Sequence, residues 1–287
     1  MKPAAYSGGV GLQAAGRRRA AELVFARGGG RSALVRQITP YPFHVTRPFA
    51  LDVERPDLAT LYLQSASGGL YRDDDLSLEV TLKPGALAHV TSQAATVVHD
   101  TGGQPARQHV RVSVGPGAFA ALTLDPLILF PGAEFVGRTD IHLAEGALAI
   151  LADGVSWHDF SGLGRPFGRL STETCVFDAG GNLLLADRGS VDGTDVVGPA
   201  SILGPEAGAV GSVLLLGPPG RLPDVAAIEE AIDGAGCFGA AGAAPNGAGI
   251  AVRLIAPNGG RIVRAAEALF TLSVGRMLGF APAHRRK

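Results

Sequence analysis

Polar and apolar residues alternate along the first half of the chain, and the pattern is written three times. "LSLEVTL" runs into the corner Lys83-Pro84-Gly85-Ala86 and leaves it as "LAHVTS". "HVRVSV" enters Gly115-Pro116-Gly117-Ala118 and leaves as "FAALTL". "RTDIHL" enters Ala144-Glu145-Gly146-Ala147 and leaves as "LAILAD". A period of two is that of a half-buried strand. A central glycine supplies the positive φ of a tight turn. Each copy is therefore expected to be a strand–turn–strand unit. The turn glycines Gly85, Gly117 and Gly146 stand 32 and 29 residues apart. A period of about 30 residues is that of a stacked supersecondary repeat, in which hairpins too small to be stable alone bury one another's apolar faces.

A weaker fourth unit is "TCVFDAGGNLLLADR", turning at Gly180-Gly181-Asn182, and further strands are expected over 21–27, 32–39, 211–216 and 250–256. The last third changes period. "LPDVAAIEEAIDGAG" has Asp224 as an N-cap and Gly234 as a stop, which predicts a helix over 224–234. In "GRIVRAAEALFTLSVGRMLG", Ile262, Ala266, Leu269, Phe270 and Met277 share one face of a helix over 261–278. Between them "GAGCFGAAGAAPNGAG" reads as a low-complexity loop. The expected fold is mainly β: a stacked strand/hairpin, β-solenoid-like body with two C-terminal α-helices. It forms a single domain over 21–287 behind a flexible leader over 1–20.

Composition supports a packed body. Of 287 residues, 46% are hydrophobic and only 18% charged, while 41 glycines and 19 prolines suit many turns. A formal net charge of −1 argues against a dedicated nucleic-acid binder. The basic clusters Arg17-Arg18-Arg19 and Arg285-Arg286-Lys287 lie near the chain ends and read as solvated tails. Cys175 and Cys237 have no CxxC partner and fit a reducing compartment. The first residues lack an apolar signal region, and no apolar run approaches the roughly 20 residues that span a bilayer, so a soluble, cytoplasmic protein is expected.

The common catalytic patterns are missing. "GPPGRLPD" lacks the Gly-Lys-Ser/Thr of a phosphate loop, and no GxSxG elbow or HExxH pair occurs. Ser156-Trp157-His158-Asp159 reads as a loop, because triad members normally converge from separate elements. His89, His99 and His109 fall ten residues apart without metal-ligand spacing. Acids and hydroxyls remain: Asp73-Asp74-Asp75, the run Thr91–Thr96, Asp125, Asp153 and Glu173. They suit turns and caps, or an oxygen lining along a path inside the stack.

Several blocks, in order over about residues 42–192, resemble the urease accessory protein D (UreD, also called UreH) family. In "SGGLYRDDDLSLEVTLKPGALAHVTSQAAT", Gly68-Gly69-Leu70 match the family's GGL, Asp74 falls on its acid, and Gln93-Ala94-Ala95-Thr96 match the end of its TTQAAT segment, with Ser92 just before them. "DPLILFPGAEF" places Asp125 where a Glu is usual. "LAEGALAILAD" ends on an acid at Asp153, Gly164-Arg165 match a Gly-Arg pair, and Glu173 falls on a Gly-Glu pair. Two positions depart: Asp73 and Thr172 stand where glycine is common. The resemblance implies a non-enzymatic chaperone that binds apo-urease and, through the helical accessory protein F, the GTPase accessory protein G, and that helps install nickel. It implies a fold of stacked strands with two helices, and a dimer within the accessory complex is a further expectation. No stably bound cofactor is expected, with nickel only in transit through an internal passage. Asp74, Asp125, Asp153 and Glu173 are its candidate metal-path residues. Gly68, Gly69, Ser92, Gln93, Thr96, Gly164 and Arg165 are motif or structural positions. Outside the resemblance, a β-solenoid carbohydrate-active enzyme or a structural repeat protein stays open, although 6% aromatic residues and one tryptophan provide poorly for sugar stacking.

Overall fold

A computed structural model describes residues 16–285. The chain enters through β1 (Arg18–Gly28), β2 (Arg31–Ile38), β3 (Phe43–Val45) and β4 (Leu58–Ser65). It winds on through β5 (Asp75–Leu82), β6 (Leu87–Ser92), β7 (Val97–Val98), β8 (Ala106–Val114), β9 (Phe119–Thr123), β10 (Leu127–Leu129), β11 (Glu134–Leu143) and β12 (Leu148–Trp157). Then come β13 (Arg169–Phe177), β14 (Leu183–Asp192), the single-turn α1 (Gly193–Val196), β15 (Ala209–Leu216), α2 (Val225–Gly234), β16 (Phe238–Ala243), β17 (Gly249–Ala256) and α3 (Gly259–Leu278).

The β-solenoid-like body and both expected C-terminal helices are present, but the repeat is a coil and not a hairpin. The two strands of each unit do not pair with each other. β5, β8 and β11 lie side by side in one sheet, ordered β14-β13-β11-β8-β5-β1-β2. β6, β9 and β12 lie in a second, ordered β16-β17-β15-β12-β9-β6-β4-β3. Pairing within each trio is parallel: Leu82, Val114 and Leu143 are aligned across one sheet, and Leu87, Phe119 and Leu148 across the other. The glycine corners carry the chain between sheets. With φ of 68°, 59° and 68°, Gly85, Gly117 and Gly146 take the left-handed conformation, and the corners are bonded in a stack by Gly85 N donating to Pro116 O (2.9 Å) and Gly117 N to Glu145 O (3.1 Å). The fourth unit is a true hairpin, since β13 and β14 pair antiparallel.

Alternation now has a clear meaning. Leu76, Leu78, Val80 and Leu82 of β5 meet Ala88 and Val90 of β6 in the core between the sheets. The opposite face of the second sheet, with Leu87, Phe119, Ala121, Ile150 and Val213, forms another core against α2 and α3. β6 and β9 are buried along their whole lengths because they are covered on both sides. On α3 the buried face is Ile262, Ala265, Leu269, Phe270, Ser273, Val274 and Met277. Asn258 caps the helix by accepting from Arg261 N (3.1 Å), and Gly279 ends it at φ 77°.

Three expectations are corrected. Gly/Ala-rich "FGAAGA" is not a loop: it is β16, an edge strand paired with β17. Most of the expected leader lies outside the described residues, but its end is ordered. Arg17 grips Asp74, and β1 begins at Arg18 by pairing in parallel with β5. Arg285 is buried, not solvated. Its Nη1 donates to Thr91 Oγ1 and Thr123 Oγ1, and its guanidinium lies over Phe270. Arg286 and Lys287 lie outside the described residues.

The seat of α3 depends on two glycines. A Cβ at Gly211 would lie 2.8 Å from Ile262 Cγ2, and one at Gly154 2.9 Å from the same atom. Gly211→Ala should therefore cost roughly 1–3 kcal/mol of stability by overpacking. Gly242→Ala on β16, where a Cβ meets nothing within 4 Å, should change it by less than about 0.5 kcal/mol. Urea midpoints at unchanged slope measure both.

Candidate functional site

At the β13–β14 end of the first sheet and the β15–β17 end of the second, glycines and polar residues interrupt the apolar inward positions. The facing rows are Gly137, Thr172 and Gly189, then Thr139, Thr174 and Asp187, on β11, β13 and β14. Opposite them, Asp153, Ser212 and Arg253 are aligned across β12, β15 and β17. Side chains this short or polar do not fill the space between the sheets. A cavity of about 480 Å³ remains, with Asp125 also in its wall.

Arg253 crosses the gap. Its Nη1 donates to Ser212 Oγ (2.6 Å) on its own sheet, and its Nη2 pairs with Asp187 Oδ2 (2.6 Å) on the other. Asp153 is one of the lining residues; its side chain is crowded by protein atoms yet stays exposed. Burial pushes its carboxyl up to about 6; Arg253 opposes the shift and Asp187 adds to it. Asp125 stands at another part of the wall, its backbone N–H donating to Ser92 Oγ (2.7 Å). Burial pushes the pKa of Arg285 down, against the opposing fields of Glu267, Tyr62 and Asp125.

The other expected path residues lie elsewhere. Asp74 is not on the cavity. Its carboxylate accepts from Arg17 Nε (2.8 Å), Arg17 N (3.0 Å) and Tyr71 N (2.8 Å). Burial raises its pKa, but these bonds outweigh burial and hold it below the usual range. Glu173 contributes to the cavity wall, but β13 alternates Leu170 and Val176 inward, so its carboxylate lies on the outer face. There Arg188 Nε (2.5 Å) and Arg138 Nη1 (2.8 Å) clasp it, and both lower its pKa. Asp140 sits in the same outer network with His109 Nε2 (2.8 Å) and Arg138.

The motif positions share one side of the body, the loops that return from the second sheet to the first. Gly69 takes φ 139°, where a Cβ would lie 2.3 Å from Val97 O, and its carbonyl accepts from Arg17 Nη2 (2.9 Å). His99 Nε2 bonds Gly68 O (3.0 Å). Gln93 bonds Gln64, and Thr96 O accepts from Ile128 N (2.9 Å). Gly164 has φ 70°, and Arg165 Nη2 pairs with Asp159 Oδ1 (2.9 Å). Aromatic contacts join these loops: Tyr71 stacks on His99, which meets Phe130 edge-on, which meets Phe160. Of the two departures, Asp73 keeps a left-handed φ of 59°, and Thr172 faces the cavity between Gly137 and Gly189.

The residues that the sequence reading missed are Asp187, Ser212 and Arg253. For Asp187 and Arg253 the signal was charge inside the largely apolar runs "LLLADRG" and "GIAVRLIA"; Ser212 in "AVGSVLLL" gave none. Among the described residues no three His, Cys, Asp or Glu side chains are grouped so as to hold a metal ion. No described helix is long and apolar enough to cross a membrane.

The fold and site define a class: a coiled two-sheet β body, backed by helices on one side, around an oxygen-lined cavity. Comparison with known proteins makes it particular. The family model described as UreD urease accessory protein matches residues 17–287. The chain is 47% identical over 274 residues to Urease accessory protein UreD 1 of Methylorubrum populi, covering 95% of this chain and 92% of that one. It is 46% identical over 272 residues to Urease accessory protein UreD 3 of Bradyrhizobium sp. strain ORS 278, covering 95% and 96%. To Urease accessory protein UreD 1 of Pseudomonas syringae pv. syringae it is 30% identical over 275 residues, covering 94% and 96%. The chain belongs to the UreD family of urease accessory proteins. It is thus an accessory, chaperone-like protein and not an enzyme, and the carbohydrate-active alternative falls.

Asp153 generates a pH prediction. Its folded-state pKa, about 6, lies above the ordinary 3.8, so folding penalises the ionised form. The penalty is full above 6 and fades as pH falls through 6 towards 3.8. Asp153→Asn should stabilise the protein at neutral pH by roughly 1–2 kcal/mol, discounted from the full conversion because the carboxylate faces space that admits water. The gain should disappear towards about pH 4, as urea titrations at the two pH values would show.

Proposed function

We propose that this protein is a urease maturation scaffold that bridges apo-urease to the accessory F and G proteins in the cytoplasm. It assists nickel insertion by giving the ion a passage through its interior. The observation that carries this reading is that Asp125 and Asp153 wall one cavity whose other polar lining includes the hydroxyls of Thr139, Thr172, Thr174 and Ser212. Carboxylate and hydroxyl oxygens hold nickel more weakly than imidazole or thiolate sets, which suits an ion that must be handed on. Membership of a urease accessory family supports the setting. Nickel is cargo here, not a resident cofactor. Association with F and G, and a second copy within the accessory complex, belong to the same reading.

The test is co-expression with a urease operon and measurement of nickel per urease. Asp153→Ala and Asp125→Ala should each lower loading several-fold while the accessory complex still forms by size exclusion. Full loading with both variants, at unchanged complex yield, would refute the passage.

A further inference from the structure

The guanidinium of Arg253 joins the two walls of the cavity. β14 is the edge strand of the first sheet, and β17 lies next to the edge of the second. The Arg253–Asp187 pair therefore spans the place where both sheets run out. Arg253 and Asp187 keep 51% and 36% of their side-chain surface accessible. Asp153 lies two strands further in, in the same row as Arg253. The groups facing Arg253 are Asp187 on β14, Ser212 on β15 and Asp153 on β12.

We propose that the Arg253–Asp187 ion pair is a latch on this cavity, holding one carboxylate in a pair with the arginine until a divalent cation displaces the guanidinium and engages Asp187 and Asp153 together. This deepens the passage reading and rests on it.

Charge balance drives the device. With Arg253 in place, Asp187 is neutralised by a direct pair, while Asp153 has only the field of the same arginine. Two carboxylates share one cation. A divalent ion neutralises both and frees the guanidinium, whose exposed half lets it turn towards water. The movement is a side-chain swing and needs no parting of the sheets. They remain tied close by, where Asn246 Nδ2 donates to Leu184 O (2.8 Å) between the β16–β17 connection and β14. Ser212 Oγ, released from Arg253, becomes a third oxygen for the ion.

The test uses the full-length chain and Ni²⁺ alone, by equilibrium dialysis near neutral pH. Arg253→Met removes the charge and keeps an unbranched apolar stem. It should bind Ni²⁺ about tenfold or more tightly than the parent, the usual scale of a coupled competing contact. The R253M/D153N double variant should lose the gain. Unchanged affinity in Arg253→Met overturns the latch. Should that variant fold poorly, Arg253→Lys serves: one ammonium cannot reproduce the planar fork that holds Asp187 and Ser212 together, so a smaller gain is expected and no gain overturns the proposal. The two readings fail separately. If Arg253→Met leaves Ni²⁺ affinity unchanged while Asp153→Ala still cripples urease loading, only the latch falls. If Arg253→Met tightens binding while Asp153→Ala loads urease normally, only the passage falls.

Discussion

The parallel register of the stacked coils is the constraint on which the remaining structure depends. Each coil passes from one sheet to the other through a glycine corner, and the corners are bonded to one another, so coil after coil is set at the same phase. Side chains alternate with a period of two, and a slip of one residue in any coil would turn Leu78 or Val112 outward. The chain avoids this by placing a left-handed glycine at the same point of each turn. Once phase is set in β5, β8 and β11, it is set for β6, β9 and β12, and the second sheet presents an apolar outer face that only helices can cover.

The cavity follows from that phase. It forms where inward positions carry Gly137, Thr172, Asp187 and Asp153 in place of the leucines and valines of earlier coils. Carboxylates outside the cavity show how different the environment there is. Asp74, Asp140 and Glu173 accept bonds from arginines, and their pKa values are held down. Asp153 accepts no such bond and is pushed up. A carboxyl with a raised pKa, in a cleft, beside an arginine that is paired with another acid, marks a candidate functional site.

Much of this was legible in the sequence. The corners, their spacing and the two helices rest on local chemistry, and local chemistry is what a sequence displays; the caps were less legible, since Asp224 makes no side-chain capping bond and α2 runs through Gly234 to a C-cap at Ala235. Which strand pairs with which is not local. Alternation in "LSLEVTL" and "LAHVTS" is the same whether the two form a hairpin or join different sheets, so the coil was read as a hairpin. β16 was missed because "FGAAGA" has no β-branched residue. It is a strand because β17 offers an edge and because Gly239 lets the two backbones meet: a Cβ there would lie 2.4 Å from Arg253 O and 3.2 Å from Ile232 Cγ2 of α2. Glu173 was placed on the path by resemblance, but the parity of β13 turns it outward. Asp187 and Arg253 meet only because two sheets close on each other, and neither strand alone indicates that its charge has a partner.

The resemblance and the cavity also report different things. The motifs that carry the resemblance, Gly68-Gly69, Asp74, Gln93 to Thr96 and Gly164-Arg165, lie in the return loops, where each glycine, acid and amide fixes a turn or bonds a neighbouring loop. They maintain the side of the body opposite the glycine corners. This explains why Asp73 can stand at a position where glycine is common: its φ of 59° is left-handed, and aspartate enters that region at lower cost than most side chains. Thr172 is a different case. It faces the cavity between two glycines, so its side chain takes volume from that cavity and adds an oxygen to the wall. A substitution in a return loop is absorbed if the turn survives, whereas one at an inward position of β13 changes what the interior can hold.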